Sequence, residues 1–146
     1  MVVTISHSLF PVIIFDWDDT LLASSFLSSK GLRLDSDTEP SAEVAEQLKL
    51  LEKSVCSVLS RALEFGEVHV ITNAETGWVQ LSAQKFLPGV VELLQRVTVI
   101  SARSTYERLY PEAPLKWKYF AFQDRLKEKI CDSKARKNII SFGDSH

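Results

Sequence analysis

The chain has 146 residues, a formal net charge of -2, 45% hydrophobic residues and 25% charged residues. That length suits one domain, residues 1–146, large enough to bury a core of its own. The small net charge gives no electrostatic case for a nucleic-acid or anionic-membrane partner. No apolar run approaches a membrane span, and the N-terminus has no basic segment followed by a cleavage pattern. The expected location is therefore cytoplasmic.

Phe10 to Phe15 form an apolar run of strand length, too short for a buried helix, and it ends in Asp16-Trp17-Asp18-Asp19-Thr20. Residues 21–40 are polar and irregular. Residues 41–65 read as a long helix, with Val44, Leu48, Leu51, Val55, Val58 or Leu59, and Ala62 on one face. Ser41 or Thr38 can cap it, and Gly66 ends it. Residues 68–72 read as a second strand stopping at Thr72-Asn73. Residues 76–95 read as two helical pieces broken at Pro88-Gly89, and residues 97–100 as a third strand. A loop with room for one helical turn covers 101–116. A helix covers 117–131, with Tyr119, Phe122, Leu126 and Ile130 sharing a face, and residues 138–142 form a fourth strand running into Gly143-Asp144-Ser145. Cys56 and Cys131 fall in apolar helical patterns and read as buried thiols rather than a disulfide or metal framework. Strands alternating with helices imply an α/β fold with a parallel sheet and right-handed crossovers.

In such a sheet the C-terminal strand ends line one edge, where ligands bind. The residues at those ends are Asp16 and Asp18, Thr72 and Asn73, Ser101, and Asp144 and Ser145. Two carboxylates so close repel each other, and a hard divalent cation such as Mg²⁺ relieves the repulsion. Asp clusters after strands also serve as plain turns and helix caps. Here, acidic and hydroxyl groups recur at successive strand ends, which favours a site for phosphate and a cation.

These motifs resemble those of the haloacid dehalogenase (HAD)-like phosphohydrolases. Asp16-Trp17-Asp18-Asp19-Thr20 is similar to the superfamily's Asp-x-Asp-x-Thr motif. Val70-Ile71-Thr72-Asn73 is similar to its apolar strand ending in Thr or Ser, and Gly143-Asp144 to its Gly-Asp motif. Trp117-Lys118 resembles a Trp-Lys pair found in poorly characterised eukaryotic members. The resemblance implies a Rossmann-like core of about four parallel strands in the order 4-1-2-3, and a Mg²⁺-dependent phosphatase. Asp16 would be the nucleophile forming an aspartyl-phosphate, and Asp18 the general acid and base. Thr72, Asn73 and Lys118 would bind the phosphoryl group. Asp16, the main-chain carbonyl of Asp18 and Asp144 would hold the metal. Lys116, Lys134 and Lys137 compete with Lys118 for the cationic role.

The segment between Thr20 and Val68 has no room for a sizeable cap domain, so the resemblance implies an open site suited to a macromolecular or bulky phosphorylated substrate. The family pattern continues past Gly-Asp, whereas the sequence stops at His146. Truncation, weak Mg²⁺ binding, little turnover and self-association through an exposed fourth strand are the corresponding expectations. Two other classes compete: a phosphate-accepting signalling module, which would lack an acid at position 18, and a pseudoenzyme acting as an interaction protein.

Overall fold

A computed structural model describes residues 11–131 and 139–143, with side chains up to residue 124 and again from 139. The elements in chain order are β1 (Val12–Asp16), α1 (Ser24–Ser29), α2 (Ala42–Phe65), β2 (Glu67–Thr72), α3 (Trp78–Phe86), α4 (Val91–Leu94), β3 (Thr98–Ser101), α5 (Ala102–Tyr106), α6 (Pro114–Cys131) and β4 (Ile139–Phe142), with a 3-10 turn over Pro88–Val90 before α4. The result is an α/β fold: four parallel strands flanked by helices. From one edge the order is β3-β2-β1-β4, and from the opposite edge the same sheet reads 4-1-2-3. β1 lies between β2 and β4, with Phe15 opposite Val70 on one side and Phe142 on the other.

The period-2 alternation of β1 sorts its side chains between two cores. Ile13 and Phe15 join the larger cluster with Val55 and Leu59 of α2 and Val79 and Ala83 of α3. Val12 and Ile14 join a second cluster with Ala102 and Tyr106 of α5 and Trp117 and Ala121 of α6. Every residue of β1 is buried, as expected of a central parallel strand. Phe15 stacks on Phe142 with ring centroids 5.1 Å apart, fastening β4 to β1 on the larger core's side.

Of the two candidate caps for α2, Ser41 fills the role: its side chain accepts the Val44 N–H at 3.2 Å. The buried face of α2 is Val44, Val55, Leu59 and Ala62. The choice between Val58 and Leu59 is decided by helical phase, which leaves Val58 exposed. Gly66 ends the helix where the backbone crosses that of Pro11. A Cβ at Gly66 would lie 2.1 Å from the Pro11 carbonyl oxygen, which already accepts the Glu67 N–H at 2.9 Å.

Four expectations need correction. Residues 24–29 form a short helix instead of irregular chain, because buried Leu27 anchors them and Asp19 accepts the Ser25 N–H at 2.8 Å. Helix α6 starts at Pro114, a residue that favours a first helical turn. Tyr119 is exposed, and α6 instead buries Trp117 and Ala121, one turn apart. Cys56 is only half-buried, with its thiol near the Gly89 carbonyl at 3.4 Å. Burial and neighbouring Glu52 push that thiol's pKa up. The Cys131 side chain, with Leu126 and Ile130, lies outside the described residues. Between β1 and β2 the described chain forms only α1, a loop and α2. No helix among the described residues is long and apolar enough to cross a membrane.

The Gly66–Pro11 crossing gives a stability prediction. Gly66→Ala should lower unfolding stability by about 3 kcal/mol, because backbone rather than a pliant side chain blocks the new methyl. Gly31 has φ +72°, but among the described residues nothing lies within 4 Å of where its Cβ would stand. Gly31→Ala should therefore cost only about 1 kcal/mol. Urea unfolding of both variants checks the order; equal losses would contradict it.

Candidate functional site

Asp16 is the last residue of β1, and alternation puts its side chain on the face of Val12 and Ile14, toward α6. Its Oδ1 accepts the Trp17 N–H at 2.9 Å, and its Oδ2 lies 2.8 Å from Lys118 Nζ. Both side chains are largely withdrawn from water, 9% exposed for Asp16 and 18% for Lys118. Lys118 arrives there because Trp117 and Ala121 dock α6 on this face of the sheet. Trp117 is further held by its indole N–H, which donates to the Tyr110 carbonyl at 2.7 Å. Lys116 instead lies over the Tyr110 ring, 5.6 Å from its centroid. Lys134 and Lys137 lie outside the described residues.

Asp18 is held from the opposite side. The chain turns at Trp17, whose carbonyl accepts the N–H groups of Thr20, Leu21 and Leu22. Asp18 Oδ1 accepts from the Ser24 hydroxyl at 2.6 Å and from the Trp78 indole N–H at 2.9 Å. Its Oδ2 accepts from the Thr72 hydroxyl at 3.3 Å. Thr72 Oγ1 also accepts the Ala74 N–H at 3.0 Å, so the residue closes its own turn while touching Asp18. Asn73 donates from Nδ2 to the Pro114 carbonyl at 3.2 Å, tying the end of β2 to the start of α6. Its buried Oδ1 takes no hydrogen bond from the described residues.

The structure thus brings Asp16 together with Lys118, and Asp18 with Thr72, at adjoining strand ends. Asp144 and Ser145 lie outside the described residues. Ser101 caps α5, accepting the Ser104 N–H at 3.1 Å, and donates to the Ala74 carbonyl. Asp19 adopts φ 56°, a region Asp tolerates better than most residues, and holds Ser25. His69 is buried inside β2, with Nε2 3.0 Å from Glu67 Oε1 at the other end of that strand.

Trp78 and Ser24, neither of them a site candidate from the sequence, both donate to Asp18. Neither position carries a periodic signal, because each acts across elements rather than within one. Three donors already occupy the two oxygens of the Asp18 carboxylate, which leaves it less room to serve as a metal ligand. Mg²⁺ takes oxygen ligands. The oxygens that suit it here are the Asp16 carboxylate and the Asp18 main-chain carbonyl, on which no hydrogen bond from the described residues ends. Among the described residues no three acidic, His or Cys side chains group around one point.

Two cavities adjoin these carboxylates. One, of about 430 Å³, includes Asp16, Asn73 and Lys118 in its lining. The other, of about 570 Å³, is reached by Asp18, Ser24 and Trp78. No protein-family model, curated protein or solved structure matches the chain. Its function must therefore be read from the chemistry of this site.

The buried pair generates a prediction that requires no catalytic assay. Lys118→Met leaves the Asp16 carboxylate withdrawn from water without its cation and should cost about 3 kcal/mol. Adding Asp16→Asn to that variant should recover part of the loss. The four proteins of the cycle, unfolded in urea at pH 7, should give a coupling of at least about 1 kcal/mol. Strictly additive losses would mean that the two groups are not energetically paired.

Proposed function

We propose that this chain is a Mg²⁺-dependent phosphohydrolase of the HAD-like type that works through an aspartyl-phosphate on Asp16. The observation that carries the reading is the 2.8 Å contact of Lys118 with Asp16 at the C-terminal end of the central strand. An anionic carboxylate cannot approach a phosphate dianion without compensating positive charge, and Lys118 supplies it at the point of attack. The contact of Thr72 with Asp18 supports the reading from the adjoining strand.

In the first step an Asp16 oxygen bonds to phosphorus as the ester P–O bond breaks. The leaving oxygen takes the proton held by Asp18, so an alcohol departs. In the second step a water gives a proton to the Asp18 carboxylate while its oxygen bonds to phosphorus. The P–O bond to Asp16 then breaks, releasing inorganic phosphate and restoring the carboxylate. Mg²⁺, held by Asp16, the Asp18 carbonyl and Asp144, would neutralise phosphoryl charge when bound. Trp78 and Ser24 fix the Asp18 carboxylate so that its proton transfers occur at one place.

The Asp16–Lys118 pair alone also fits a signalling module that accepts phosphate on aspartate. Asp18 and its three donors favour turnover over storage, because a module that stores phosphate has no use for an oriented acid beside the acceptor.

The test is hydrolysis of 4-nitrophenyl phosphate with Mg²⁺ and with excess chelator. We expect chelator-sensitive turnover, lost by at least about 10³-fold in Asp16→Asn. Asp18→Asn should slow turnover and let acid-stable ³²P accumulate on the protein if attack outpaces hydrolysis. Full activity in Asp16→Asn would remove the nucleophile from the scheme.

Trp78→Phe keeps an aromatic ring at the position and deletes the N–H donor to Asp18. It should lower kcat about 10–100-fold with little change in KM, since a hydrogen bond to a charged group is worth about 1.5–3 kcal/mol. Steady-state kinetics of that variant checks this, and an unchanged kcat would show that Asp18 is oriented by other means.

A further inference from the structure

The cavity beside Asp16 and Lys118 has a lining that phosphate alone does not explain. Its walls are mostly apolar: Ile14 and Ile71 from the sheet, and Leu115, Tyr119 and Phe122 from α6. Leu115 is 70% exposed and Tyr119 57% exposed. Core packing therefore does not account for either side chain, although Tyr119 meets Phe120 edge-on and accepts a hydrogen bond from Gln123. They flank Lys118 on the same helix, with Leu115 one turn nearer its start.

The direction of α6 gives that spacing its meaning. A helix crossing between parallel strands runs back against them, so its first turn lies at their C-terminal edge. The hydrogen bond from Asn73 to the Pro114 carbonyl places it there. Leu115 therefore stands further out over the strand ends than Lys118. An ester group on a phosphate held at Lys118 shares its cavity with Leu115 and Tyr119. The same cavity is lined by Asn73, whose Oδ1 takes no hydrogen bond from the described residues.

We propose that the ester group accepted here is flat and apolar: the substrate class is an aryl phosphate monoester, with phosphate at Lys118 and the ring against Leu115 and Tyr119. The inference rests on the phosphohydrolase reading of the site and adds the identity of the leaving group. The cavity's volume of about 430 Å³ lies within the range for small-ligand pockets and holds one or two fused rings.

Non-hydrolysable probes separate ring recognition from turnover. Calorimetry with Mg²⁺ should show benzylphosphonate binding about tenfold tighter than methylphosphonate, the gain expected for covering one face of a phenyl ring. Leu115→Ser combined with Tyr119→Ser should erase that gap and leave methylphosphonate affinity unchanged. Both positions are exposed, so the double variant should keep its circular dichroism and urea midpoint. Equal binding of the two phosphonates would overturn the ring site and leave the phosphohydrolase reading intact, provided 4-nitrophenyl phosphate is still hydrolysed. A gap that survives the double variant would equally overturn the placement. If neither phosphonate binds and no phosphate ester is hydrolysed, both readings fall together.

Discussion

A carboxylate withdrawn from water at the end of a buried strand is the constraint on which the rest of this structure depends. Asp16 continues the apolar alternation of β1 into a position that Val or Ile would fill at no electrostatic cost. Burying an ion there costs several kcal/mol unless a partner and hydrogen bonds offset it. The Trp17 N–H supplies one such bond, and Lys118 supplies the partner. Lys118 can do so only if α6 lies against this face of the sheet with its first turns at the strand ends. The packing of Trp117 and Ala121, the Trp117 bond to Tyr110 and the Asn73 bond to Pro114 all fix that placement. A hydrophobic sequence would meet the demands of stability more cheaply, which is why a charge here points to chemistry.

The second carboxylate is supported from the other side of the sheet. Trp17 marks the change: it is fully buried, its carbonyl gathers three N–H groups of the following turn, and its indole N–H donates to Ser82 of α3 at 3.0 Å. Ser82 in turn donates to the Trp78 carbonyl, and the Trp78 indole donates to Asp18. The turn after β1 and the start of α3 are thus locked together before Asp18 is oriented. Asp16 answers to α6, and Asp18 to α1 and α3. The two carboxylates turn to opposite sides of the strand end, each lining its own cavity, so a ligand engaging both must sit over that edge.

Much of this is legible in the sequence. Each strand of the sheet is an apolar run of the right length, and the polar residues that stop β1 and β2 are those that form the site. Asp16, Asp18 and Thr72 can be named because they interrupt a pattern. Lys118 can be named only through the Trp117-Lys118 resemblance, since a lysine in an amphipathic helix gives no signal of its own. What is not legible are the contacts made between elements. Trp78 looks like any aromatic residue near a helix start, and Ser24 like any residue of a polar loop. Tyr119 is misplaced by its periodicity for a related reason. The helix begins at Pro114 and its buried stripe is set by Trp117 and Ala121, so Tyr119 falls at the stripe's exposed edge beside the cavity, while Phe122 of the same face still packs partly against the core. The early helix at Ser24–Ser29 escapes notice because one buried leucine and a side-chain bond from Asp19 hold it, with no periodicity to read.

The same groups serve both folding and the proposed chemistry, and this sets how rigid the site is. Thr72 closes the turn after β2 through the Ala74 N–H while its hydroxyl proton goes to Asp18. Asn73 anchors α6 with one end of its amide and leaves the other end buried beside the cavity, with no partner among the described residues. The Thr20 hydroxyl, in the turn after β1, is likewise buried without a partner among them. Unpaired buried polar atoms cost about 1–3 kcal/mol each, a cost that apolar residues of similar shape would avoid. Asn73 Oδ1 and Thr20 Oγ1 both lie in segments that leave the C-terminal ends of the central strands. A third such atom, His69 Nδ1, lies inside β2, so it is the buried charge of Asp16, rather than these atoms alone, that marks the strand-end edge as the place where the fold gives up stability.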